Sequence, residues 1–366
     1  MIVGVDAGAL SVRDDRLKVG VYRVTLNLLK YLSLIDITHE YRLYSFIPIE
    51  TGVMSSFGHN MRNVIVRPAF GWSQIQLPLE LRRHPVDVFL GLSQMIPSTN
   101  AIKIGLIHDL GFLSYPDLYE YSRRKLKTQT ETLAYRTDKI IAVSKATKRD
   151  ILSHYDITPD KVIVCYEGID TRFVPLGEVY KPDRPYFLFV GALKKQKNIP
   201  MLLQSFRKFL DVSKKTYDLL LVGGDYWIDP EINETMTTLK LHERVKITGY
   251  IKDEDLPKYY RGAVAFVSPS LIEGFCLPAV EAMASGCPVI CSSVGAFPEI
   301  VGEAGIMIDP THVDVLAKTL VRVSKDSSLR LKMREHGFKK SKQFTWKIFA
   351  SNVYALYKNL DTATTQ

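Results

Sequence analysis

The sequence predicts an α/β protein built from two domains. Short apolar strand patterns alternate with amphipathic helix patterns over residues 2–166, and the same alternation returns over residues 186–308. This alternation is typical of parallel sheets covered by helices. A length of 366 residues favours two domains. Residues 174–184 have no clear period and contain Pro175, Gly177 and Pro182, so they are the natural linker between the two runs.

The composition is that of an ordinary soluble globular protein, with 46% hydrophobic and 24% charged residues. No run approaches the roughly 18 apolar residues of a membrane-spanning helix. The first residues lack a basic segment and a long apolar core, so we expect no signal peptide. The four cysteines (Cys165, Cys276, Cys287 and Cys291) form no CxxC pair. We therefore expect reduced thiols in a cytoplasmic protein.

A net charge of +9 favours anionic partners: nucleotide diphosphates, acidic lipid surfaces or nucleic acid. Residues 1–180 hold 22 basic and 19 acidic residues and residues 181–366 hold 26 and 20, so neither half is a polycationic arm. No interleaving of aromatic and basic residues indicates nucleic acid, which we discount. The densest basic cluster is Arg123, Arg124, Lys125 and Lys127, followed by Lys145, Lys148 and Arg149. A solvated helix face is the simpler interpretation; peripheral attachment to an anionic membrane is the functional alternative.

The first run opens with a buried strand at residues 2–6, a polar loop at 11–18 and a glycine, Gly20. Apolar residues at 21, 24, 28, 29 and 32 then predict an amphipathic helix. In many α/β folds a strand, a glycine-containing loop and a helix in this order bring backbone amides near a phosphate. A single glycine is explained nearly as well by an ordinary turn.

Further strands are predicted at residues 41–47, 63–66 and 86–90, with an amphipathic segment at 72–83 that covers the sheet or touches lipid. The strand pattern at 102–110 ends in His108 and Asp109. Chemistry in open α/β sheets lies beyond the carboxyl ends of the strands, although a lone histidine there is more often structural. A strand at 136–144, a helix at 145–155 and a strand at 161–166 complete this run.

The second run begins with a strand at residues 186–191, a basic loop at 194–198 and a helix at 200–210. Lysines between a strand end and a helix start can pair with a diphosphate as point charges. Strands at 219–224 and 245–251 follow. The acidic residues 253–255 superficially offer a DxD metal motif, but Leu256 and Pro257 after them indicate a helix start, where negative charge offsets the helix dipole.

The central stretch, residues 266–288, joins a strand, a Ser-Pro-Ser turn, Glu273 and a helix that opens near Pro278. The amides of Phe275, Cys276 and Leu277 would point out of the helix N-terminus and offer an anion site. Glu273 and Glu281 would repel a phosphate but would accept hydrogen bonds from neutral hydroxyls. Either glutamate alone is better explained as a surface charge; together they favour a ligand with a phosphate and a polyol, such as a nucleotide sugar.

The chain closes with a strand at residues 288–291, a short helix at 298–301, a last strand at 305–308 and three helical stretches, the final one around 346–360. The two α/β runs share an architecture, but no sequence repeat and no low-complexity segment is evident.

The central stretch closely resembles the signature of the family-4 (GT4) retaining glycosyltransferases, in which seven residues separate two glutamates, here Glu273 and Glu281. Phe275, Leu277 and Pro278 also match. The resemblance implies the GT-B fold, an α/β architecture of two Rossmann-like domains facing a cleft. It implies an acceptor-side domain at residues 1–175, onto which the C-terminal helix at about 346–366 packs back. A nucleotide-sugar-binding domain would span residues 176–345.

The same resemblance implies individual roles. The catalytic residues would be His108, which contacts the transferred sugar in this family, and Glu273 on sugar hydroxyls. The implied donor-binding residues are Gly20, Lys197, Tyr250, Ile251, Phe275, Cys276, Leu277 and Glu281. Lys197 would hold phosphate, Tyr250 and Ile251 would seat the base, and Glu281 would bind the ribose. The frequent arginine of the family is missing, because Ala192 follows Gly191 and Gln196 precedes Lys197. No metal and no other cofactor are expected.

The resemblance to bacterial mannosyltransferases of surface-polysaccharide synthesis favours transfer of mannose from GDP-mannose to a saccharide or lipid-linked acceptor. Three alternatives stay open: a UDP-sugar-dependent transferase, a GT-B nucleotide-sugar epimerase or hydrolase, and a non-catalytic sugar-nucleotide-binding protein. The expected location is the cytoplasm, with peripheral attachment at the inner face of the membrane as an option.

Overall fold

The computed structural model describes residues 1–18, 20–119, 122–224 and 228–358. The chain forms two compact units. Unit 1 consists of Met1–Gly168 together with the segment that begins at Thr345, and unit 2 consists of Ile169–Phe344. The first boundary lies seven residues before the 175/176 division proposed from the sequence, and the second lies one residue before Trp346.

Unit 1 is built on a parallel sheet of seven strands in the order β3-β2-β1-β4-β5-β6-β7. The strands are β1 Ile2–Asp6, β2 Glu40–Ser45, β3 Met61–Ile65, β4 Val88–Gly91, β5 Ile102–Ile107, β6 Lys139–Ala142 and β7 Val162–Val164. The central strands β1 and β4 are almost entirely buried, as expected for a parallel sheet covered on both faces.

The α-helices of unit 1 among the described residues are α1 Val21–Ile35, α2 Thr51–Met54, α3 Leu77–Arg83, α4 Gly111–Ser114, α5 Arg123–Arg136 and α6 Lys145–His154. The amphipathic segment at 72–83 forms a π-helical turn that continues into α3. It buries Trp72, Leu77 and Leu81 in the core of unit 1, so it covers the sheet as the sequence predicts. Ile75 and Leu79 stay exposed.

Unit 2 repeats the architecture with a parallel sheet of six strands in the order β10-β9-β8-β11-β12-β13. These strands are β8 Tyr186–Val190, β9 Asp218–Val222, β10 Val245–Gly249, β11 Ala265–Ser268, β12 Val289–Ser292 and β13 Ile306–Ile308. The helices are α7 Ile199–Val212, α8 Pro230–Thr238, α9 Leu256–Gly262, α10 Leu277–Ala284, α11 Phe297–Ile300, α12 Val313–Lys325 and α13 Ser327–Ser341. Aromatic side chains from β8 and α7 form the centre of its core, led by Phe187, Phe206 and Phe209.

The last helix, α14 Trp346–Ala355, returns to unit 1. Behind it, the hydroxyl of Tyr357 lies 2.8 Å from the hydroxyl of Tyr41 on β2, and Tyr41 donates to Asp36. Both tyrosine side chains are fully buried, so this hydrogen-bonded group ties the end of the described chain to the first sheet. Residues 359–366 of the predicted C-terminal helix lie outside the described residues.

The predicted strand at residues 136–144 begins too early. Helix α5 extends to Arg136, and the side chain of Thr137 donates to the Leu133 carbonyl at 2.7 Å, which caps the helix before β6 starts. The strand predicted to run to residue 110 ends at Ile107, so His108 lies just beyond it.

Acidic residues 253–255 precede α9 as expected, and Asp255 pairs with Lys258. No helix in the described part of the chain has the length and apolar character to cross a bilayer.

Candidate active site

The order of strands identifies the part of unit 2 where a ligand site is expected. In this sheet β9 and β10 are added on one side of β8, and the chain then crosses to the other side of β8 to form β11. In open α/β sheets such a switch point opens a crevice at the carboxyl ends of the strands. The loops that leave β8 and β11 carry Lys197 and Glu273, and the structure brings these two side chains together.

Lys197 is held by the loop after β8. It ends a single 3-10 turn, and Asn198 follows in the left-handed conformation with φ of 56°. The Asn198 side-chain amide donates to the carbonyls of Pro269 at 3.2 Å and Pro310 at 2.8 Å. The Leu271 amide donates to the Gln196 carbonyl. These bonds join the two loops and thereby fix the lysine relative to the loop that carries Glu273.

Glu273 is the centre of this arrangement. Its Oε1 lies 2.5 Å from Lys197 Nζ and accepts the Ser270 hydroxyl at 2.8 Å. Its Oε2 accepts no hydrogen bond from the described residues. Both side chains are partly buried, with 21% of Lys197 and 10% of Glu273 exposed. One carboxylate oxygen is therefore fixed by protein groups while the other can accept a ligand hydroxyl.

The backbone of Glu273 is held against a glycine turn. Its carbonyl accepts the Ala296 amide at 3.0 Å, and a Cβ on Gly295 would approach that carbonyl to 2.6 Å. Gly295 also has φ of 60°, so both the backbone conformation and the close approach favour glycine.

Helix α10 begins directly after this loop, with Pro278 in its first turn. Cys276, in the left-handed conformation with φ of 69°, turns the chain into the helix. The amides of Cys276 and Leu277 make no hydrogen bond to any described residue, which leaves them available to an anion. Burial, with the charge of Glu273 second, raises the pKa of Cys276 well above its ordinary value, so the side chain is a thiol and not a nucleophilic thiolate.

The remaining predicted donor-binding residues of unit 2 differ in how far their side chains are exposed. Tyr250 and Ile251 directly follow β10 and are half-buried. Glu281 has no exposed surface, and its Oε2 accepts the hydroxyl of Tyr260 at 2.9 Å. A ribose could contact Glu281 only after the surrounding side chains move. The ribose-binding role of Glu281 stays a prediction.

Unit 1 has its own switch point, between β1 and β4. Gly20, with φ of 42°, precedes α1, and no atom of the described residues lies within 4 Å of the Cβ that it lacks, so backbone conformation rather than space favours glycine there. His108 lies beyond the end of β5. Its Nδ1 is 3.3 Å from Glu167 Oε1 and its Nε2 is 3.2 Å from the Leu92 carbonyl in the loop after β4.

Several residues of these two clusters were not predicted from the sequence. Ser270 fixes Glu273, and Glu167 contacts His108. Gln94 has φ of 56°, uncommon for a residue with a side chain, and its amide donates to the Asp109 carbonyl and the Thr130 hydroxyl. Asp6 ends β1, is 1% exposed and accepts the Gly8 amide at 3.0 Å. Burial raises the pKa of Asp6. The rule that chemistry follows strand ends could have identified Asp6.

A cavity of about 890 Å³ lies elsewhere, at the amino ends of β1, β4 and β5. Ile75, Leu79 and Arg82 line one wall and Thr99 and Asn100 another. It includes no predicted site residue, so we place the candidate active site at the carboxyl ends of the strands, where the polar clusters lie.

Two family models match the chain. The family model described as Glycosyltransferase Family 4 matches residues 59–173, and the model described as Glycosyl transferases group 1 matches residues 177–340. O-antigen chain mannosyltransferase B of Escherichia coli is 27% identical over 290 residues, which cover 76% of each chain.

Solved structures share the fold. Sucrose-phosphate synthase from Thermosynechococcus elongatus superposes with a TM-score of 0.79 at 20% identity and covers 99% of both chains. The Anabaena protein HepE, solved in complex with UDP-glucose, has a TM-score of 0.74 at 16% identity and covers 98% of this chain and 99% of its own. These matches confirm the predicted GT-B fold. The two family models together match most of the chain, which therefore belongs to the glycosyltransferases of family 4 and group 1 that they describe.

Proposed function

We propose that the protein is a retaining hexosyltransferase that moves mannose from GDP-mannose to a saccharide or lipid-linked acceptor without a metal ion. The observation that carries the proposal is the Lys197–Glu273 pair at the switch point of unit 2, beside the N-terminus of α10. It combines one cationic group and the neutral amide donors of α10 for a diphosphate with a carboxylate oxygen that can accept a sugar hydroxyl. The 27% sequence identity to an E. coli O-antigen chain mannosyltransferase supports mannose as the transferred sugar.

The lysine can serve two partners at once. An ammonium group has three N–H donors, so Lys197 can keep its hydrogen bond to Glu273 while another N–H binds a phosphate oxygen. The amides at the start of α10 add donors and the positive end of the helix dipole. As the bond between the sugar and the phosphate breaks, negative charge grows on the leaving diphosphate, and these groups stabilise it.

Retention without an enzymic nucleophile is part of this proposal. The Cys276 thiol is neutral, and in this proposal Oε2 of Glu273 accepts a sugar hydroxyl, so neither side chain acts as the nucleophile. The acceptor hydroxyl would then attack the anomeric carbon from the face that the diphosphate leaves. One C–O bond breaks, one forms, and the acceptor proton passes to a phosphate oxygen of the leaving group. His108 in unit 1 would contact the transferred sugar.

A thermal-shift screen tests the donor site. We expect GDP and GDP-mannose to raise the melting temperature of the purified chain, because a ligand that binds only the folded state stabilises it. At a concentration of about 100 times Kd the gain is about 2.7 kcal/mol. Chelator should leave the shift unchanged, and guanosine, which lacks the phosphates, should give little. A shift with UDP or UDP-glucose instead would overturn GDP-mannose as the donor, in keeping with the UDP-glucose complex of HepE. No shift with any sugar nucleotide would contradict the transferase proposal.

We also propose an anionic membrane surface as a partner. Arg123, Arg124, Lys125 and Lys127 occupy the first turns of α5 and are exposed, with no acidic residue in the first turn. Cations at a helix N-terminus oppose the macrodipole, so helix stability does not favour them there, and an external anion would offset their charge. Lys148 has a structural role instead, since its ammonium donates to the carbonyls of Pro159 at 2.8 Å and Val162 at 2.6 Å.

Replacing these four basic residues of α5 by glutamine should weaken sedimentation with vesicles rich in anionic lipid at least about tenfold, because each cation near such a surface contributes about 1 kcal/mol. The matched control removes four exposed charges from unit 2, at Lys325, Lys332, Arg334 and Lys339. Equal loss in both variants would indicate nonspecific charge attraction and would remove α5 as the docking site. Unchanged sedimentation of the α5 variant would do the same.

A further inference from the structure

The ring of His108 lies between two hydrogen-bond acceptors. On one side Glu167 Oε1 is 3.3 Å from Nδ1, and on the other the Leu92 carbonyl is 3.2 Å from Nε2. Both contacts lie within unit 1 and are shielded, with 19% of the His108 side chain and 5% of the Glu167 side chain exposed. The backbone is fixed as well, because the Thr147 hydroxyl from α6 donates to the His108 carbonyl at 3.2 Å.

The two acceptors determine where the protons are. A carbonyl oxygen only accepts, so the contact with Leu92 requires a proton on Nε2. A neutral ring protonated there would present the lone pair of Nδ1 to the Glu167 carboxylate, which also only accepts when ionised. A second proton on the ring removes this repulsion and makes a charge-assisted hydrogen bond.

The electrostatic surroundings agree with this arrangement. Burial alone would lower the pKa of His108, but the hydrogen bond and charge of Glu167, the Leu92 carbonyl and the charge of Asp109 together raise it above the ordinary value. The other groups in contact, from the loop after β4 and from α6, are neutral: the Leu92 carbonyl and the Thr147 hydroxyl. Among the described residues, Glu167 and Asp109 are the charged groups that raise the pKa of the ring.

We propose that Glu167 is a positioning residue that keeps the His108 ring doubly protonated and oriented between Glu167 and Leu92. The catalytic consequence rests on the proposed function: a ring with no free lone pair cannot take the proton of the acceptor hydroxyl, so it acts as a fixed cation beside the reacting sugar. Because the ring cannot accept it, the proton of the acceptor hydroxyl passes to the leaving diphosphate.

The direct test follows the protonation of His108 by NMR in the full-length chain labelled with ¹⁵N-histidine, with His108→Gln used for assignment. In the wild type we expect His108 to titrate above about 6.5, the ordinary value. In Glu167→Gln, which keeps the size of the side chain, the midpoint should fall by about one unit or more. His39, whose Nδ1 lies 2.7 Å from Asp36 in the same unit, is an internal control and should not change. A neutral His108 ring in the wild type at pH 6.5, or the same midpoint in both proteins, would overturn the proposal.

Activity separates this inference from the function on which it rests. Glu167→Gln should shift the pH profile of kcat in the direction of the NMR midpoint, and Glu167→Asp should restore part of the shift, while the thermal shift with GDP stays as in the wild type. Glu131→Gln, an exposed change on α5, serves as the neutral control. If the wild type fails to bind nucleotide, the proposed function fails and the NMR result still decides the role of Glu167. An unchanged pH profile with a shifted midpoint would overturn the catalytic consequence.

Discussion

Glu273→Gln is expected to lower kcat for nucleotide release from the sugar nucleotide by about 10²- to 10³-fold, the loss seen when one preorganised group of an active site is removed. The amide keeps the size of the side chain and can still accept from Ser270 through its oxygen. It loses the negative charge that pairs with Lys197 and the charged acceptor, Oε2, for a sugar hydroxyl. Release of GDP or UDP is the suitable measurement, because it detects turnover with or without an added acceptor.

The control for this change is Glu303→Gln, an exposed glutamate in the same unit. Glu303→Gln should melt close to the wild-type temperature, and Glu273→Gln should melt lower but stay folded, because it removes the charge of Glu273 from the partly buried Lys197. A Glu273→Gln enzyme with turnover within a factor of two of the wild type would refute a catalytic role for this carboxylate.

Lys197→Ala is expected to weaken binding of GDP, measured by the thermal shift or by calorimetry, by about 10- to 100-fold, since a hydrogen bond to a charged group contributes about 1.5–3 kcal/mol. The loss should shrink when the ligand is guanosine, which has no phosphate for the ammonium to bind. Salt should weaken wild-type binding more than it weakens binding by the variant, because the lost contact is electrostatic.

Lys195→Ala provides the matched control, because Lys195 is an exposed lysine two residues away in the same 3-10 turn. It should bind GDP as the wild type does. If both variants lose affinity equally, the loop contributes only general positive charge, and the specific phosphate role of Lys197 is wrong.

Much of the fold could be predicted because each domain repeats a local pattern that sequence displays directly. Strand β1 is an uninterrupted apolar run closed by Asp6, and α1 shows its buried face at a helical period. The boundary errors have local causes that a pattern does not reveal, such as the side-chain cap at Thr137, which ends α5 inside a predicted strand. Helix α8 was missed because it buries only Ile232 and Met236 and therefore has a weak apolar stripe.

The site was only partly predictable. The motif of the central stretch located Glu273 and the family resemblance located Lys197, but their direct contact joins residues 76 apart and depends on the order of β8 and β11 in the sheet. Spacing alone placed Glu281 one turn into α10 and suggested a ligand contact. All but one residue of α10 are buried, so position along that helix does not indicate which side chains are accessible. Glu167 followed no motif of catalysis, since its importance comes only from its proximity to His108.

The chain enters unit 2 and leaves it at neighbouring points. The Ile169 amide donates to the Phe344 carbonyl at 3.3 Å, so the first and last residues of this unit are hydrogen-bonded to each other. Unit 2 is therefore an insertion in the sequence of unit 1. Its two ends meet, and the two segments of unit 1 that flank it in the sequence fold into one compact unit. Such a module can be replaced or transplanted without moving the ends of its host. Lys197, Glu273 and the start of α10, which are proposed to hold the nucleotide sugar, lie inside it, whereas Gly20 and His108 lie in unit 1. Exchange of unit 2 would therefore replace most, but not all, of the proposed donor contacts.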